Sequence, residues 1–67
     1  MDDYDRFMLW LDKLTLEQVA GMYNCVVQGY IPSDVLDEYA TWTLDEFTMA
    51  EAIHDSFRAK FEHRASH

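Results

Sequence analysis

Glu51, His54 and Asp55 are the first residues to consider for chemistry. The two carboxylates stand four residues apart with the imidazole between them, a spacing that brings side chains onto one face of a helix and can offer oxygen and nitrogen ligands to a divalent metal. The rest of such a site is missing from the chain. There is no His-Glu-x-x-His pattern, no cysteine partner and no second histidine at i+4, and zinc sites are assembled from those sets. His54 is read as a helix-surface histidine with acidic neighbours. No metal and no other cofactor is expected.

Cys25 is the only cysteine, so no intrachain disulfide and no cysteine-rich metal clip is available. A catalytic thiol needs a positioned base and a lowered pKa, and no histidine lies near it in the chain. A small, partly buried side chain is the expectation. Paired carboxylates occur at Asp2-Asp3, Asp37-Glu38 and Asp45-Glu46. General acid–base work requires a pocket that drives two such groups apart in pKa, and a domain this small has little volume for one. The sequence therefore predicts a protein that is not an enzyme.

Charge narrows the choice of partner. Thirteen Asp and Glu face five Lys and Arg, a formal net charge of −8. Residues 1–57 carry net −10, and residues 58–67 carry net +2. An acidic body is repelled by phosphates and by anionic membrane, and is drawn to basic surfaces such as those of nucleic-acid-binding proteins. Residues 16–39 have a helix–turn–helix outline, but the would-be recognition helix holds Asp34, Asp37 and Glu38 and no base, so direct nucleic-acid binding is rejected. Mimicry of nucleic acid by the acidic surface is a narrower expectation, ranked below general protein binding. No apolar run approaches the ~20 residues that span a bilayer. The acidic start and the single free thiol suggest a cytoplasmic protein, in the host cell if phage-encoded.

The elements that must position these residues are helices. With two Gly and one Pro the chain lacks the punctuation of a turn-rich β fold. The spacing predicts a single all-α domain, a small three- to four-helix bundle with helices at about 3–14, 16–29, 34–42 and 44–63. Tyr4, Phe7, Met8, Leu11 and Leu14 make the first stripe. Thr15 opens a capping box closed by Gln18, ahead of a stripe of Leu16, Val19, Ala20, Tyr23, Val26, Val27 and Tyr30. Gly21 interrupts that helix, which a close helix–helix approach would explain. Ser33 is a candidate cap for the short third helix. Thr43 and Glu46 form a second capping box, before a stripe of Phe47, Ala50, Ile53, Phe57 and Phe61. Arg58, Lys60 and Arg64 complement the dipole at the end of that helix.

A core of this size rarely supplies more than ~3–5 kcal/mol unaided. The ten aromatic residues exceed what so short a bundle hides easily, so some are expected on a contact surface. The residues off the stripes are the candidates: Leu9, Trp10, Met22, Tyr39, Trp42 and Met49 for apolar contact, with Asp34, Asp37, Glu38, Asp45 and Glu46 as an acidic rim. The function expected is a protein–protein interaction module that inhibits or modulates a larger host protein. Inhibitors of CRISPR, restriction or transcription machinery, encoded by phages and mobile elements, share its size and charge. The alternatives are a helical homodimeric adaptor, or an immunity- or antitoxin-like protein that neutralises a basic toxin or nuclease.

Overall fold

A computed structural model describes residues 2–33, 35 and 44–65. All regular structure among them is helical: α1 (Asp3–Asp12), α2 (Leu16–Val27) and α3 (Glu46–Ala65). The helix expected over 34–42 lies outside the described residues except for Val35, so the number of helices in the bundle rests on the three that are seen. Among the described residues no helix is long and apolar enough to cross a membrane.

Each helix start has a side-chain cap. Asp2 caps α1, its carboxylate accepting from the Asp5 N–H at 2.9 Å. Thr15 and Gln18 form the expected reciprocal box at α2. The Thr15 hydroxyl accepts from the Gln18 N–H at 3.1 Å, and the Gln18 side chain accepts from the Thr15 N–H at 2.9 Å. At α3 the start differs from expectation. The Thr48 N–H donates to Asp45 at 2.7 Å, so Asp45 caps and Glu46 opens the helix, two residues later than a Thr43 cap would place it. An aspartate satisfies an orphan N–H as well as a threonine does, so two overlapping cap patterns competed and the later one formed.

The end of α2 is set by Gly29, whose φ of 99° is open to glycine at no steric cost. The Gly29 N–H donates to the Val26 carbonyl at 3.0 Å and the Tyr30 N–H to the Cys25 carbonyl at 3.2 Å. These are the two bonds of a Schellman motif. The chain then turns back into the core through Ile31 and Val35, both buried.

Phe7, Leu11, Ile31, Val35, Met49, Ala52 and Ile53 form the core cluster, with Val19 also fully buried. α3 runs antiparallel to α2: Glu17 meets Arg64, Tyr23 stacks on Phe57 at 4.7 Å, and Val26 faces Phe47 and Ala50 across a cleft. The molecule measures 37 × 29 × 16 Å.

The face of α3 that is buried differs from the one its spacing favours. The sequence favours Phe47, Ala50, Ile53, Phe57 and Phe61. The structure buries Met49, Ala52, Ile53 and Ser56, and leaves Phe47 and Phe61 exposed. Met49, expected among the contact residues off the stripe, is a core residue at 5 % exposure. Both sets have helical spacing, and α3 is apolar around much of its circumference. The hydroxyl of Ser56 is buried without a hydrogen-bond partner, the cost of the face that was chosen.

The basic end of α3 reaches across to its neighbours. Lys60 donates to the Asp12 carbonyl at 3.1 Å, at the end of α1, and Arg64 pairs with Glu17 at 2.9 Å, in the first turn of α2. The expectation that these bases serve the dipole of their own helix is thus incomplete, because Lys60 complements the C-terminus of α1.

Candidate interaction surface

At the opposite end of the bundle, where α2 stops and α3 starts, no ion pair between side chains joins the helices among the described residues. Phe47 is 73 % exposed, Val27 65 % and Tyr30 52 %. The first and last of these, with Val26, Gly29, Ile31, Ala50 and Glu46, line a cleft of about 210 Å³. Val27 and Tyr30 were expected on the buried stripe of α2. They lie in and beyond its last turn, where the Schellman turn carries the chain away and α3 has only its first turn to offer as cover.

The electrostatics of this end are one-sided. Asp45, Glu46 and Glu51 have no Lys or Arg within ion-pair distance among the described residues. α2 has no basic residue in its last turn. Its C-terminal carbonyls, carrying about half a negative charge, add to the carboxylates. The Thr48 hydroxyl, and then its backbone N–H, hold the Asp45 carboxyl below its ordinary range, so Asp45 stays ionised under mildly acidic conditions. A hydrogen bond with Cys25 pushes the Tyr30 hydroxyl up, so it remains protonated and neutral.

The other residues proposed from sequence are scattered. Leu9 is exposed beside Asp5, Met8 and Asp12 in a shallow depression on α1. Trp10 stacks on Phe7 at 5.9 Å and packs against the core, as does Met22. Both are half-buried and share a second groove, of about 500 Å³, with Leu14, Glu17, Gln18, Gly21, Cys25 and Pro32. Gly21 lies open to solvent there, and a methyl group built on it meets no heavy atom within 4 Å. Among the described residues no helix approaches it closely, so the packing reason expected for this glycine finds no support there. Asp34, Asp37, Glu38, Tyr39 and Trp42 lie outside the described residues. Of the described residues of the expected acidic rim, Glu46 lines the cleft and Asp45 precedes it as the cap of α3.

Sequence reasoning missed Val27, Tyr30 and Phe47. The first two were assigned to the core because helical spacing continues through them, and only Gly29 hinted that the helix ends first. His54 is exposed, 3.6 Å from Asp55 and 5.5 Å from the Tyr23 ring. Among the described residues no three His, Cys, Asp or Glu side chains gather into a group that could hold a metal. No family model, curated protein or solved structure matches the chain.

Proposed function

We propose that this protein is a small acidic interaction module that binds a larger protein through the open end of the bundle and modulates it, acting as an inhibitor of the phage or mobile-element kind. The observation that carries the reading is the exposure of Phe47, Val27 and Tyr30 together, at an end whose described carboxylates have no basic partner. Aromatic anchors ringed by polar groups are the composition of interface centres. Among the described residues all three side chains are more than half exposed, and a marginally stable domain has little reason to keep them in water.

Such a partner presents a basic surface, as nucleic-acid-handling enzymes and basic toxins do. A homodimer made by this face would set Glu46 near its own copy, with net −8 on each chain. Charge therefore opposes that arrangement, and sedimentation equilibrium at low micromolar concentration measures it directly.

The test is a paired capture experiment in the native host. Tagged wild-type protein and Phe47→Ser are expressed at native level, and their co-purifying proteins compared. A protein retained by the wild type and lost with the variant is the expected result. Recovery of the same set by both, or of the bait alone, would refute the reading.

A further inference from the structure

We infer that the cleft between the end of α2 and the start of α3 is a seat for a single cationic side chain, an arginine or lysine presented by the partner protein. The inference rests on the interaction-module reading and makes it specific. Three independent features point the same way.

The first is size. At about 210 Å³ the cleft falls below the roughly 300–1,000 Å³ of sites for drug-sized ligands. It has room for one long side chain entering from a larger surface.

The second is charge. Glu46 lines the cleft and has no basic partner among the described residues. The C-terminal end of α2 opens onto it. The three helix ends differ in this respect. Lys60 reaches the last carbonyl of α1, His63 and Arg64 occupy the last turn of α3, and the last turn of α2 has no base. A cation brought by a partner would supply at α2 what the chain supplies at the other two.

The third is the walls. Tyr30 and Phe47 present exposed rings to the same cleft, and Val26, Ile31 and Ala50 form an apolar floor. Aromatic faces attract ammonium and guanidinium groups, and an apolar floor accommodates the methylene stem below the charged head. A second copy of this chain fits less well, since four of its five bases are engaged within it: Arg6 pairs with Asp3, Arg58 with Glu62, Arg64 with Glu17, and Lys60 bonds the Asp12 carbonyl.

The experiment uses isotope-labelled full-length protein and two synthetic peptides of identical length and apolar content, one bearing arginine and one bearing its uncharged analogue citrulline at the same positions. The arginine peptide is expected to shift the amide signals of Val27, Gly29, Tyr30 and Phe47 at low salt, with the citrulline peptide binding about tenfold more weakly. Glu46→Gln and Phe47→Ala should each weaken the arginine peptide several-fold while leaving the spectrum of the remaining protein folded. Shifts spread evenly over all acidic residues, absence of any shift, or equal binding of the citrulline peptide would each overturn the cationic seat. The host partner, once captured, separates the two ideas. If its binding is lost in Phe47→Ser but unchanged in Glu46→Gln, the interaction surface stands and the cationic seat falls.

Discussion

The two ends of this bundle are built from similar parts and handle them in opposite ways. Where α1 turns into α2, the capping box of Thr15 and Gln18, the Lys60 bond to the Asp12 carbonyl and the Arg64–Glu17 pair leave the local charges answered within the chain. Where α2 gives way to α3, the cap is again sound, but three large apolar side chains are more than half exposed and Glu46 has no basic partner among the described residues. The stitched end carries most of the basic residues, and the open end carries none that is described. Lys60 and Arg64 close one end, where Phe61 is nonetheless exposed, and the other end gathers Phe47, Val27 and Tyr30 without a described base.

The comparison breaks most completely at the shared core. Ile53 is fully buried between the ends, and Ile53→Ala should cost about 2–5 kcal/mol. That rivals the whole stability available to a domain of this size. Far-ultraviolet circular dichroism should show a largely unfolded chain at room temperature, and a cooperative transition near the wild-type midpoint would mean the core lies elsewhere.

The stitched end is next. Thr15→Ala should lose about 1 kcal/mol, seen as a fall of several degrees in the melting midpoint. Gly21→Ala should move the midpoint the other way by a comparable amount, about 0.5–1 kcal/mol, because the added methyl meets open space in a helix interior. A loss of stability there would show that something packs on Gly21 after all.

Changes at the open end should hardly register in stability. Phe47→Ser is expected to stay within about 0.5 kcal/mol of wild type, since the ring is mostly in water already. A large destabilisation on urea titration would place Phe47 in the core and erase the distinction between the ends.

The smallest effect concerns pH. Glu17 is held below its ordinary value by its own backbone N–H and then by Arg64, and Asp45 by Thr48. A lowered folded-state pKa means the unfolded chain takes up protons first. The stability these groups contribute is present above about pH 4.5 and is lost as pH falls through their lower folded values. Acid titration of Arg64→Gln should show less of this loss than wild type at low salt. In about 1 M salt, where exposed pairs are screened, the two proteins should converge.

Local physics was legible in the chain from the start. Thr15 and Gln18 reveal the start of α2 because a capping box is a contact between residues three apart. The helix bounds at Asp3, Leu16 and Glu46 fall within two residues of those expected, since caps and spacing act over a single turn. The surface was much less legible. Of the residues picked as contacts, Met49 is in the core and Trp10 and Met22 are partly so. Leu9 is exposed as expected, but so are Val27, Tyr30, Phe47 and Phe61, all assigned to buried stripes. Periodicity says that a stripe exists. It does not say which stripe wins when a helix carries apolar residues on several sides, as α3 does.

By itself, then, the sequence determined that the described chain is helical, where its helices begin, and that its net charge is strongly negative. These follow from short-range hydrogen bonding and from composition. Only the tertiary structure decided which face of α3 turns inward, that Lys60 and Arg64 are consumed in closing one end, and that Phe47 and Tyr30 share a cleft with Glu46. Those outcomes depend on how the helices pack against one another, a competition among faces that no single helix can settle alone.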